Sequence, residues 1–232
     1  MEQVSFLRHG SFFGPEDADK TFNIIGVGAT GSWAGLLAAK MGWHKFRIWD
    51  ADFVESHNCP NQIYDITQVG EKKVDAFEET LTSFNSQITV EKYDCFFTSL
   101  EHTELLDGPV FIAVDSLEAR RDIMTACKDH FFVDLIFETS MGFSHANLNV
   151  IDPLSDEVDN YLNLLKTDDE VEESACNARI ITTLTCIVAS TLVHKLCHYY
   201  SAQRRGITSV DSLSILGKTV FNLEEELSTY HL

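Results

Sequence analysis

The chain has 232 residues, of which 44% are hydrophobic and six are cysteine, and its formal charge is −19. That length suits one sizeable domain with its own core. The acidity argues against a surface made for nucleic acid or an anionic membrane, and no apolar run approaches the roughly 18 to 20 residues that cross a bilayer. The opening "MEQVSFLRHGSFF" lacks the basic-then-apolar design of a signal segment, so a cytoplasmic protein is expected. The cysteines form no C-x-x-C pair and no compact spacing. A disulfide framework or a zinc site built from cysteine pairs is therefore not expected.

In chain order, "KTFNIIGVG" (20–28) reads as a buried strand running into a glycine turn. "ATGSWAGLLAAKMG" (29–42) reads as a helix stopped by Gly42, with Trp33, Leu36, Leu37 and Lys40 at three-and-four spacing. "KFRIWD" (45–50) is the next strand. "KKVDAFEETLTSFN" (72–85) is helical, with Val74, Phe77, Leu81 and Phe84 on one face. "ITVEKYD" (88–94) is a strand, "LEHTELLD" (100–107) a short helix, and "GPVFIAVD" (108–115) an apolar strand ending in Asp115. "LEARRDIMTACKDH" (117–130) is again helical. Strands alternating with helices predict an α/β fold, Rossmann-like, with a mostly parallel sheet and helices on both faces.

Past residue 130 the pattern changes. "FVDLIFETSMG" and "HANLNVIDP" read as strands joined by a turn, which would extend the sheet antiparallel. "SDEVDNYLNLLKTDDEVEES" (155–174) reads as an exposed, mobile acidic loop with one helical turn-pair. A long helix is expected from about Cys176 to Tyr200, with Ile180, Leu184, Ile187, Val188, Leu192 and Leu196 as its apolar face. His194 and His198 stand one turn apart on it, but without a third ligand they read as helix surface. "SLSILGKTVFNLEEEL" (212–227) suggests a hairpin turning at Gly217–Lys218. The whole is expected to be one domain, 1–232, with a nucleotide-binding core at about 22–121 and an extension at about 131–232.

"GVGATG", from Gly26 to Gly31, fits G-x-G-x-x-G between a predicted strand and a predicted helix. Gly26 would permit the tight turn, Gly28 would let backbone approach a phosphate, and Gly31 would allow close helix packing. The N–H groups at the helix start favour an anion. Asp50 lies nineteen positions after Gly31, where an acid that holds ribose is expected. A nicotinamide-dependent oxidoreductase would account for these features. It would not call for Asp52, Glu55, Asn58, Gln62 and a lysine soon after.

The ordered blocks "GVGATGS", "WDADFVESHNCPNQ", "VGEKKVDA" and "VFIAVDSLEARR" resemble the ThiF/MoeB proteins, the bacterial relatives of ubiquitin-activating enzymes. The resemblance runs from about Phe22 to Arg121. It implies an adenylyltransferase that uses ATP and magnesium to activate a carboxylate, most simply the C-terminal glycine of a small ubiquitin-like carrier ending in Gly-Gly. Acyl-AMP and pyrophosphate would be the products. By the same resemblance Asp50 would hold the ribose, with Asp52 beside it, and Lys73 would sit on the phosphates. Asp115 would hold the metal, and Asn58, Asn61 and Gln62 would position the nucleotide. Asp115 also reads as a plain helix N-cap before "SLEARR".

The family carries arginine where this chain has Asn61, which removes one charged phosphate contact. Arg8, reaching over from the second subunit of a homodimer, is the expected substitute, with Arg120 a further candidate. Cys176, at the start of the long helix, matches a family position that can take the activated acyl or sulfur group, and a helix N-terminus favours its thiolate. Asn61 leaves open a non-catalytic scaffold. Activation of a small carboxylate on a peptide or nucleoside, as in tRNA dehydratases, is also open, although the charge of −19 speaks against tRNA.

Overall fold

The computed structural model describes residues 4–142, 144–166, 182–207, 215–222 and 230–231. Its strands are β1 (Phe22–Ile25), β2 (Lys45–Trp49), β3 (Thr89–Tyr93), β4 (Gly108–Ile112), β5 (Val133–Met141), β6 (His145–Ile151), β7 (Gly217–Asn222) and β8 (Tyr230–His231). They form one sheet in the order β3-β2-β1-β4-β5-β6-β7-β8. The pairs from β3 to β5 are parallel, and those from β5 to β8 are antiparallel. The expected α/β architecture, parallel with an antiparallel extension, is thus what the chain adopts.

The helices are α1 (Ala29–Met41), α2 (Lys73–Phe84), α3 (Ser99–His102), α4 (Leu117–Cys127), α5 (Glu157–Leu164) and α6 (Thr182–Arg204). Strand alternation divides the core into two apolar layers. Phe22, Ile24, Phe46, Ile48, Phe111 and Phe137 face the layer under α1, α2 and α6. Ile25, Trp49, Val110, Ile112 and Ile136 face the opposite layer, under α4 and α5. Because both faces are covered, the parallel strands read as near-continuous apolar runs. No helix among the described residues is long and apolar enough to cross a membrane.

α1 buries a face other than the one its large residues suggest. Gly31, Ala34, Gly35, Ala38 and Ala39 are buried, whereas Trp33, Leu36 and Leu37 are only partly covered. The reason is close approach: a Cβ on Gly35 would stand 2.3 Å from the Phe77 ring of α2. α6 packs along α1 through Leu184, Val188, Leu192 and Leu196, all fully buried, each contributing about 2 kcal/mol by burial. Gly42 ends α1 at φ 119°, donating its N–H to the Ala38 and Ala39 carbonyls.

One boundary differs from expectation. Gly217 is not a hairpin turn; it opens β7 opposite Val150, and the strand buries Thr219 and Phe221 against the sheet. A glycine at φ 95° can enter a strand as readily as it can make a turn, so the residue type alone misleads. The described part of the long helix begins at Thr182; Cys176 and Ile180 lie outside the described residues.

Candidate functional site

The sheet order places β1 between β2 and β4, so the chain leaves β1 toward one side and later returns on the other. Such a switch point opens a crevice at the carboxyl ends of the strands. Gly26 after β1, Asp50 after β2 and Asp115 after β4 all stand at that edge. The three motif glycines have separate duties there. Gly26 adopts φ 93°, and a Cβ on it would lie 2.6 Å from the Ala113 carbonyl. A Cβ on Gly31 would lie 1.9 Å from the Gly26 carbonyl oxygen. Around Gly28 a Cβ would meet nothing within 4 Å, and no side chain caps α1 at this residue. Gly26 and Gly31 are packing glycines. Gly28 opens onto a helix N-terminus whose N–H groups suit a phosphate.

Asp50 reads the turn directly. One carboxylate oxygen accepts the Val27 N–H at 2.9 Å, and the other accepts the Asp52 N–H at 2.9 Å. Burial raises its pKa above the usual carboxylate value, against the opposing charge of Lys73 and the two amide hydrogen bonds. Val54 donates to the Glu71 carbonyl and Gly70 to the Val54 carbonyl, and a bridge joins Phe53 to Lys72. This short antiparallel pairing carries the start of α2 to the end of β2. Lys73 then donates its backbone N–H to the Asp52 carbonyl at 2.9 Å, and its ammonium lies 2.7 Å from the Asp52 carboxylate.

The amide loop closes over this arrangement. Asn58 is buried and its side-chain oxygen accepts the Glu55 N–H at 2.9 Å, so that oxygen shapes the loop. Trp33 donates its indole N–H to the Asn61 carbonyl, Ser32 accepts the Ile63 N–H, and Thr182 donates to the Pro60 carbonyl. α1 and α6 therefore both hold the loop. Within it, Asn61 Oδ1 and Gln62 Oε1 are buried without a hydrogen-bond partner. Buried polar atoms left this way call for a ligand or water. Tyr64, which the motif reading passed over, donates its hydroxyl to the Val27 carbonyl at 2.7 Å. Its pKa is pushed well up by burial and then by the Asp50 charge, which keeps it a donor. A tyrosine in an otherwise polar loop was the available signal.

Asp115 is exposed and does not cap α4; Ser116 does, accepting the Ala119 N–H. No side chain among the described residues hydrogen-bonds the Asp115 carboxylate, and none forms a metal cluster of three or more ligating groups there or elsewhere. One carboxylate completed by phosphate oxygens is how magnesium sits on a nucleotide. Arg120 is not available to phosphate. It is buried, donates to the Val114 and Thr139 carbonyls at 2.6 and 2.7 Å, and pairs with buried Glu138.

The ThiF family model matches residues 14–225. The chain belongs to the ThiF family. It is 31% identical over 124 residues to ubiquitin-like modifier-activating enzyme 5 of Bombyx mori, covering 48% of this chain and 32% of that protein. It thus spans about a third of the curated relatives it matches. Among solved structures, E. coli MccB with AMPCPP and MccA superposes with a TM-score of 0.70 at 12% identity, covering 93% of this chain and 64% of that one. E. coli tRNA N6-threonylcarbamoyladenosine dehydratase superposes at 0.65 and 19%, covering 86% and 91%. At those identities the superpositions show a shared fold.

One expected residue of this ThiF-family chain, Arg8, stands apart from the crevice. Arg8 is exposed in the turn 7–12, whose His9 ring lies 3.2 Å from the Met41 carbonyl at the far end of α1. Thirteen residues of α1, about 20 Å, separate that end from the glycine turn. Cys176 lies outside the described residues. The His194 and His198 rings stack in line with Phe12 at centroid distances of 5.2 and 6.5 Å, a packing role for the N-terminal turn.

Proposed function

We propose that this chain adenylates a carboxylate with ATP and magnesium, and that its substrate is the C-terminal glycine of a small ubiquitin-like protein. The observation that supports this best is the combination at one crevice of an open Gly28, a turn-bound Asp50, a buried Lys73 and an exposed Asp115. A nicotinamide enzyme would use the first two and leave the last two without work. In the proposed roles, Asp50 takes the ribose hydroxyls and the α1 N-terminus takes phosphate. Lys73 exchanges Asp52 for the α-phosphate as the carboxylate attacks, and Asn61 and Gln62 meet the nucleotide's polar edges. Asp115 would hold magnesium, which neutralises phosphate charge. Fixed cations in a shielded site stabilise the charge that develops there.

The electrostatic balance asks for one more cation. Among the described residues, Asp50, Asp52 and Asp115 face a single lysine at the crevice, while Arg120 is paired with Glu138 and Lys72 with Asp94. With Asn61 neutral, Arg8 of a second subunit supplies the missing charge, since its own subunit holds it at the wrong end of α1. A homodimer and a cytoplasmic setting with ATP at hand belong to this reading, and a covalent step, where one follows, falls to Cys176.

Thermal-shift titration with ATP, AMP and NAD separates the classes, and carrier-dependent ATP–pyrophosphate exchange tests the reaction. Stabilisation by NAD alone would turn the assignment toward a reductase. ATP binding without exchange for any carrier ending in Gly-Gly would make the chain a scaffold, the reading Asn61 favours.

A further inference from the structure

The Arg120–Glu138 pair is buried deeper than any group the proposed chemistry uses, with Arg120 5% and Glu138 1% exposed. Burying two charges costs several kcal/mol each, at about the level their attraction returns, so packed apolar residues would stabilise the fold as well or better. The Arg120 Nε is buried without a partner, a further cost. Burial lowers the Arg120 pKa, and the Asp115 charge acts against that shift, which places the two groups within electrostatic reach. Stability alone gives no reason for this pair.

Its hydrogen bonds give one. The fork of Arg120 grips the carbonyl of Val114, the residue just before Asp115, and the carbonyl of Thr139 on β5. Glu138 braces the guanidinium from β5 and is itself held by Asn149 of β6, whose Nδ2–H donates to Oε2 at 2.5 Å. Asp115, by contrast, has no side-chain hydrogen-bond partner among the described residues. The direction of its carboxylate is therefore set by its backbone. That backbone is fixed on one side by Arg120 at Val114 and on the other by the Ser116 cap.

We infer that Arg120, braced by Glu138 and Asn149, is a positioning residue that locks the Val114–Asp115 peptide and so aims the Asp115 carboxylate at metal-bound nucleotide. The inference rests on the proposed nucleotide reading and adds to it how the antiparallel extension serves the parallel core. Groups behind a metal ligand commonly contribute about 10- to 100-fold to metal affinity.

The test is calorimetric titration of the full chain with ATP, with and without magnesium, on the Arg120→Met/Glu138→Leu double variant. Removing both charges together leaves no unpaired ion, so the fold and melting temperature should be kept. The expected result is unchanged affinity for metal-free ATP and a loss of about tenfold for the magnesium complex. A folded double variant that binds the magnesium complex as tightly as the unaltered protein would overturn the inference and make the pair a packing device. Should the double variant fail to fold, Arg120→Lys keeps the charge balance but cannot reach both carbonyls. Full affinity for the magnesium complex in that variant would overturn the inference equally. Unaltered protein that binds ATP but ignores magnesium would also overturn it. Unaltered protein that binds no ATP at all would instead sink the nucleotide reading.

Discussion

The Lys73 ammonium lies 2.7 Å from the Asp52 carboxylate, and the Lys73 backbone N–H donates to the Asp52 carbonyl. The lysine side chain is 9% exposed and the aspartate 59%, so one partner is buried and the other faces solvent. Such half-exposed pairs contribute about 1 kcal/mol or less to stability. The pair is better read as a holder that keeps a cation at the crevice. Lys73→Ala should leave melting almost unchanged while slowing pyrophosphate exchange by about 100-fold or more. Normal exchange in a folded Lys73→Ala protein would remove the lysine from the mechanism.

The glycines separate fold from function. Gly31→Ala drives a methyl into the Gly26 carbonyl and should cost about 3 kcal/mol, with loss of soluble protein or a lowered melting point. Gly28→Ala meets open space and should cost about 1 kcal/mol or less while abolishing the thermal shift by ATP. Equal effects of the two substitutions on melting would contradict this division.

Under the proposed function, Asp50 should make ATP binding sensitive to acid. Burial raises its folded-state pKa above its unfolded value, so its charged form is a cost of folding at neutral pH. That cost is relieved as pH falls through the folded pKa, because the native state then binds the extra proton. Protonated Asp50 no longer offers two acceptors, so ATP affinity should fall over the same window. Titrations between pH 4.5 and 7.5, chosen as roughly the span above the ordinary carboxylate range, should show affinity falling on the acid side at a higher pH than that range. Flat affinity across it would exclude Asp50 from the nucleotide contact.

Arg8 is testable by complementation. Arg8→Ala and Lys73→Ala proteins, each inactive, should regain about a quarter of the activity when mixed, since half the dimers are mixed and each holds one complete site. A fully active monomer by light scattering would end the trans-arginine reading. Asn61→Arg should preserve activity or raise it.

Cysteine chemistry should be selective. Burial pushes the Cys127 thiol up to about 12 and moves Cys197 in the same direction, so neither should react with iodoacetamide at pH 8 before unfolding. Half-buried Cys59 should label in the native protein. With carrier, ATP and magnesium, intact mass should show a reductant-sensitive adduct that Cys176→Ser removes while exchange persists. An adduct that survives the substitution moves the nucleophile elsewhere.

The sequence by itself determined what depends on near neighbours. Alternating strands and helices, the stop at Gly42, the positive φ of Gly26 and the close packing at Gly31 follow from backbone limits within a few residues, and the structure repeats them. Asp50 was legible because a strand end fixes its place relative to the glycine turn. Tertiary structure alone decided which polar group meets which. Asp52 reaches Lys73 only through the pairing of Phe53 with Lys72, Tyr64 bonds Val27 across 37 residues, and Glu138 on β5 claims Arg120 on α4. It also made Ser116 the cap of α4, set Gly217 inside a strand and turned the small face of α1 inward. Periodicity says which side of an element is apolar, but a buried charge takes the partner that long-range packing brings within about 3 Å, and no local pattern encodes that meeting.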